Sequence, residues 1–257
     1  MPDQALVNSD LQSALEEVRQ AYVARNPRSL ARHHEACVAM PGGNTRTTLH
    51  TSPFPLTVVR GEGCRLWDAD GHEYIDVLGE YTAGIYGHSH PVIRAAVDRA
   101  LDDGWNYGGR NANEAKLAKL VADRIPSIDL VRFTNSGTEG NVMALAGARV
   151  FAQRAGRSRA TKVMVFHGGY HGGVLYFVSG GSPVNVPYEY IVAPYNDVEG
   201  TRALLAKHGE ELFAVLLEPM QGSHGCLPGD LAFLRMVREE TRARGITMIF
   251  DEVMTSR

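Results

Sequence analysis

The 257-residue sequence has only three cysteines, Cys37, Cys64 and Cys226, widely spaced and without a CxxC pair. Their scarcity argues against a disulfide framework or a zinc finger and fits reduced thiols to which no role attaches. Neither charge sign dominates, since 26 Lys and Arg against 29 Asp and Glu leave a formal net charge of -3. No basic face advertises nucleic acid or an anionic membrane, so small polar ligands are the expected partners. No apolar run approaches the roughly 18 residues of a membrane span. The opening stretch MPDQALVNSDLQSALEEVRQ carries acids early and lacks an apolar h-region, which makes a cytoplasmic location the expectation. Internal repeats and low-complexity tracts are also missing.

What is present is alternation. The length suits one large α/β domain with an appended lobe. Leu11, Leu15, Val18 and Tyr22 recur at helical spacing between Ser9 and about Val23, and a loop rich in Pro, Gly and Thr is expected after them. LTVVRGEGCRLWDADGHEYIDV reads as short strands joined by glycine turns, a small antiparallel meander. Helical patterns over Val92–Ala100 and Leu117–Ile125 then alternate with the apolar runs LVRFT, KVMVF, YIVA, FAVLLE and TMIFD. Runs that are apolar without alternation predict strands covered on both faces. The expected architecture is therefore a helix-plus-meander lobe over residues 1–110 and an α/β domain over 111–257. The sheet of that domain is expected to be mixed, mostly parallel and flanked by helices.

Ligands bind beyond the carboxyl ends of such strands, and the chemistry-bearing residues gather there. After LVRFT comes NSGTEGNVMALAG. Ser136 and Glu139 are spaced as a capping box. The same start, with Gly137 open and Thr138 offering a hydroxyl, also suits a single phosphate at a helix N-terminus. It is not a GxxxxGK[ST] loop. After KVMVF comes HGGYHGG, either a Gly-rich turn with a packed tyrosine or a turn that presents Tyr170 and His171 as a plate for a heteroaromatic ring. Its glycine spacing is not that of GxGxxG. The pairs His167/His171 and His88/His90 lack a third ligand, so no metal site is expected. Glu218 and Asp251 each close an apolar strand, as a cap or ion-pair partner; Asp251 also suits the carboxylate that keeps a pyridinium nitrogen protonated.

TNSGTEGNVMA, FHGGYHG, LEPMQG and FDEVMTSR, in that order, resemble the class III pyridoxal-phosphate-dependent aminotransferases of fold type I. LWDADGHEYIDV and GIYGHSHP are similar to the N-terminal segment of that family. The resemblance implies pyridoxal 5'-phosphate as cofactor, with Ser136, Gly137 and Thr138 at the phosphate. It puts Tyr170 on one ring face with His171 beside it, Val253 on the other face, Asp251 at the ring nitrogen and Glu218 behind. Gly140 stands where the family usually has alanine. MPGGNTRTTLHTSPFPLTVVRGEG is similar to β-phenylalanine aminotransferases and glutamate-1-semialdehyde aminomutases, which implies that Arg46 pairs with a substrate carboxylate. Amino acids and oxo acids are the implied substrates, and a homodimer the implied assembly.

The family's chemistry requires a lysine that forms a Schiff base with the cofactor. The lysines here are Lys116, Lys119, Lys162 and Lys207, none in a suitable context. The expectation is that this lysine and a C-terminal domain lie beyond Arg257, and that these residues alone are inactive. The intact enzyme is expected to move an amino group from a β- or ω-amino acid to an oxo acid. The alternatives are a glutamate-1-semialdehyde-type aminomutase or other class III enzyme of the same cofactor, such as a decarboxylase or racemase, and a non-catalytic fragment that binds cofactor or a partner.

Overall fold

The chain divides into two units, residues 1–107 and 108–257, in a computed structural model that describes residues 10–256. In the first unit α1 (Leu11–Arg25) forms where the periodicity places a helix, capped by the Asp10 carboxylate on Ser13 N–H. Its apolar positions are less covered than the pattern implies, with Leu11 and Val18 exposed; Tyr22 is half-buried and its hydroxyl donates to Phe54 O at 2.8 Å. The loop expected after Val23 is largely a helix instead, α2 (Pro27–Ala39). Pro27 occupies its first turn, where a missing N–H costs nothing. Asp70 accepts from the Arg28 and Ser29 N–H groups at 2.7 and 2.9 Å. The cap thus comes from 41 and 42 residues downstream, which local sequence does not reveal.

The predicted meander is present as β1 (Val58–Glu62), β2 (Arg65–Asp68) and β3 (Glu73–Ile75), antiparallel in the order 1-2-3. Asp68 is buried at its centre and accepts from Asp70 N–H, His72 N–H, the His72 ring and the Tyr74 hydroxyl. Before α3 (Pro91–Asp102) the backbone turns left-handed over four successive residues, Gly79, Glu80, Tyr81 and Thr82, with φ of 54°, 51°, 55° and 76°. Each non-glycine residue there costs about 1–2 kcal/mol. Asp76 anchors the turn, accepting from Leu78 and Gly79 N–H through Oδ1 and facing His88 Nε2 through Oδ2.

The second unit opens with α4 (Ala112–Arg124), which Asn111 and Glu114 start as a capping box. It continues through α5 (Gly137–Arg154), β4 (Lys162–Phe166), β5 (Glu189–Ala193), α6 (Val198–His208) and β6 (Leu212–Leu217). A ribbon of β7 (Met220–Gln221) and β8 (Leu227–Pro228) follows, then α7 (Leu231–Ala243) and β9 (Thr247–Phe250). The four long strands form one parallel sheet in the order β5-β4-β6-β9. LVRFT, expected as a strand, is not one: residues 130–134 pair with no strand among the described residues. Apolar content marks a segment as able to join a sheet, but a ladder also needs a partner.

Two cores explain why the strands do not alternate. Val163, Val165, Ala214 and Leu216 pack on Leu145, Ala148 and Ala152 of α5. Met164, Phe166, Val215 and Leu217 pack on Leu205 of α6 and on Phe233, Met236 and Val237 of α7. Each face is covered at the two central strands, so Val163–Phe166 of β4 and all of β6 are apolar, and each large side chain contributes about 1.5–3 kcal/mol of burial. Arg157 ties the base together, donating to Gly245 O at 2.7 Å and to Gly209 O and Leu212 O at 2.8 Å.

Candidate functional site

Three parallel strands deliver the polar residues singled out above to one end of the sheet. Asp251 follows β9 directly, Glu218 follows β6, and Tyr170 and His171 lie four and five residues past the end of β4. The start of α5 meets them there. A Cβ added to Gly137 would lie 2.8 Å from Val253 Cγ2, and one added to Gly172 would collide with Thr138 Oγ1. Gly172 has φ of 120°, a backbone conformation that side chains rarely adopt, so glycine is required on both counts. Thus Gly137, Thr138, Gly172 and Val253 come together although they lie up to 116 residues apart.

At α5 the cap is half of the expected box. Ser136 Oγ accepts from Glu139 N–H at 3.1 Å. Glu139 accepts from Asn135 N–H at 2.8 Å, one residue outside the N-cap, rather than from Ser136. As first-turn residues, Gly137 and Thr138 have N–H groups with no acceptor inside the helix, and Thr138 Oγ1 lies against Gly172. The start of this 18-residue helix carries the positive end of its dipole, where a negative charge is favoured. Gly140 leaves room for alanine, since an added Cβ would meet only Thr134 Oγ1 at 3.4 Å.

Asp251 is 7% exposed, with hydrogen bonds to both carboxylate oxygens. Its Oδ2 accepts from Asn141 Nδ2 at 2.8 Å and faces His171 Nδ1 at 2.9 Å, while Oδ1 accepts from Val253 N–H at 3.1 Å. Burial pushes its pKa up, but these partners, His171 foremost, outweigh that and hold the carboxyl below its ordinary value. Asp251 is therefore ionised and His171 presents its Nδ1–H to it. His171 is 2% exposed, and its Nε2 has no partner among the described residues. Asn141 also donates to His171 O at 3.1 Å, so one amide fixes both members of the pair.

Glu218 acts on the backbone. Its carboxylate accepts from Tyr170 N–H at 2.9 Å and Gly222 N–H at 3.0 Å, while burial pushes its pKa up despite both bonds. It fixes the turn that carries Tyr170, whose ring meets Tyr176 edge-on at 5.9 Å. Asn141 and Gln221 are the site residues that sequence reasoning missed. Asn141 is a buried polar residue one turn inside an Ala-rich helix, and Gln221 lies in LEPMQG with Nε2 donating to His167 O at 2.9 Å. Polar residues at such apolar positions were the available signal. Arg46 belongs to the first unit, where its partner is Glu80.

The four lysines lie elsewhere. Lys162 opens β4 at the opposite end of the strands and pairs with Glu211 and Glu189. Lys116 and Lys119 are exposed on α4, and Lys207 on α6.

The donor set fits a phosphorylated heteroaromatic cation: a helix start at α5 that favours an anion, glycines that let Thr138 and Val253 pack close to it, and an ionised carboxylate for an N–H. Comparison with known proteins gives the same direction. The family profile described as aminotransferase class-III matches residues 48–256. The β-phenylalanine transaminase of Variovorax paradoxus is 48% identical over 252 residues, covering 98% of this chain and 57% of that protein. The crystal structure of the β-phenylalanine aminotransferase from the same organism matches with a TM-score of 0.91, over 96% of this chain and 56% of that one. Glutamate-1-semialdehyde 2,1-aminomutase 2 of Geobacillus kaustophilus (strain HTA426) is 36% identical over 245 residues, 89% of this chain and 56% of its own. A transaminase solved with PLP bound matches with a TM-score of 0.80 at 32% identity, over 89% of this chain and 55% of that one. The chain spans a little over half the length of these relatives.

Proposed function

The chain belongs to the class-III aminotransferase family, and on that premise we propose that its protein transfers an amino group from a β- or ω-amino acid to an oxo acid. The observation that carries this reading is the ionised, buried Asp251, held by His171 and Asn141 beside the anion site of α5. The cofactor is pyridoxal 5'-phosphate. When bound, it supplies the electron sink that lets an amino group leave one carbon and join another.

The chain's own residues bind and orient it. The Gly137 and Thr138 N–H groups, with the Ser136 and Thr138 hydroxyls, hold the phosphate. Tyr170 and Val253 would hold the ring. Asp251 keeps the proton on the ring nitrogen, and His171 and Asn141 keep Asp251 ionised and aimed. Glu218 acts through the Tyr170 turn. Arg46 takes the substrate carboxylate. The similarity to a β-phenylalanine transaminase supports a β-amino acid donor. The reactive lysine is none of the four in these residues, because each sits on a helix surface or at the far end of β4. It comes from outside the 257 residues. The working protein is a homodimer, a reading supported by exposed Val77, Ile85, Tyr86 and Trp105 in the first unit.

The test is the visible absorbance of the chain after incubation with pyridoxal phosphate and gel filtration, followed by borohydride reduction and peptide mapping. Retained cofactor that is not fixed to Lys116, Lys119, Lys162 or Lys207 is expected. Fixation to one of them would overturn the assignment of the lysine. Failure of the longer protein to pass an amino group from a β-amino acid to an oxo acid would overturn the function.

A further inference from the structure

Arg46 Nη1 and Glu80 Oε1 lie 3.6 Å apart, with side chains 61% and 60% exposed. One oxygen at that distance leaves most of the five guanidinium N–H donors unused. Among the described residues Arg46 makes no other carboxylate pair. It reaches Glu80 from a short loop, between the left-handed Gly42 and Gly43 and the Leu49 N–H that donates to its carbonyl.

Glu80 is held in the opposite manner. It sits inside the left-handed run Gly79–Thr82, closed by Ala83 N–H to Glu80 O at 3.2 Å and Gly84 N–H to Gly79 O at 2.9 Å, and anchored through Asp76 and His88. Such strain persists only where surrounding structure enforces it, and it is enriched at ligand clamps and switches. A fixed acid on a strained turn thus meets an arginine on a loop through one loose contact.

We propose that Glu80 is a specificity-determining residue that occupies Arg46 in place of the substrate carboxylate and yields it when substrate arrives. This rests on the reading of Arg46 given above. A carboxylate ligand offers two oxygens in the geometry of the guanidinium fork, which the 3.6 Å contact does not use. To dock, it displaces Glu80 and then sits near that released negative charge. Every carboxylate ligand bears this penalty, and an amine without a carboxylate bears none. Glu80 therefore lowers the preference of the site for acids over amines that lack a carboxylate.

The test uses the full-length, cofactor-loaded protein. Calorimetry gives the Kd of 3-phenylpropanoate, and kinetics give KM for a β-amino acid and for 1-phenylethylamine, which lacks the carboxylate. Removing an exposed ion pair of this kind in Glu80→Gln is expected to tighten 3-phenylpropanoate about twofold to fivefold. The ratio of the amino-acid KM to the amine KM should fall by the same factor, with a smaller gain at high salt. Glu80→Gly also removes the carboxylate, relieves the backbone strain, and should give the same gain. Arg46→Met should weaken 3-phenylpropanoate. If Arg46→Met weakens it while both Glu80 variants leave it unchanged or weaker, the role of Glu80 is overturned and that of Arg46 stands. If Arg46→Met has no effect, both fall.

Discussion

His171 Nδ1 and Asp251 Oδ2 lie 2.9 Å apart, joining residues 80 positions apart in a spot where both are almost wholly buried. The bond crosses from the loop after β4 to the end of β9, so it reports whether that end of the sheet is assembled. Removing one partner leaves a buried carboxylate short of a donor. His171→Phe keeps the ring volume and should cost about 3–5 kcal/mol. His171→Asn retains an N–H donor near the Nδ1 position and should cost clearly less. Urea unfolding of the two variants measures the gap, and equal losses would mean that packing rather than the bond matters.

Neighbouring glycines separate cofactor geometry from general flexibility. A Cβ at Gly172 meets Thr138 and carries φ of 120°, whereas one at Gly173 meets nothing within 4 Å. Gly172→Ala should cost at least about 2 kcal/mol and disturb the anion site, while Gly173→Ala should stay within about 0.5 kcal/mol. Thermal melts with and without pyridoxal phosphate check both effects. A Gly172→Ala protein with unchanged stability and cofactor retention would contradict the close packing of Thr138.

Arg157 donates to three carbonyls, at the ends of α6 and α7 and at the start of β6. Arg157→Met leaves those acceptors short of a charged donor and should cost about 2–4 kcal/mol in urea unfolding. Arg157→Lys, a single point charge, cannot span all three and should recover only part of the loss. Full recovery would show that charge alone suffices.

Asp68 gives the first unit a signed pH dependence. Burial alone would raise its pKa, but the Tyr74 hydroxyl and the His72 ring and N–H hold it at about 2 against an ordinary 3.8. The unfolded chain therefore takes up a proton before the folded one does. The stability from Asp68 is fully present above pH 3.8 and is lost as pH falls through about 2. Both tryptophans, Trp67 and Trp105, lie in this unit, so acid unfolding followed by tryptophan fluorescence isolates it. Asp68→Asn should lower stability at neutral pH and flatten the slope between those values. An unchanged slope would remove Asp68 from the account.

By itself the sequence determined what short-range patterning encodes. The meander follows from glycine turns between alternating segments, and the two-sided core follows from KVMVF and FAVLLE, whose apolar runs leave no polar face to expose. Glu218 and Asp251 announced themselves as acids closing apolar strands. Tertiary structure decided whatever depended on a distant partner. LVRFT has the composition of a strand but forms no ladder, and α2 exists where composition suggested a loop, with Asp70 supplying its cap from the meander. Asn141 became part of the site only because α5 sets its amide against Asp251 and His171 at once. The physical reason is the same throughout: periodicity and caps act over a few residues, whereas ladders, buried carboxylates and shared amides are satisfied by groups that only the folded chain brings near.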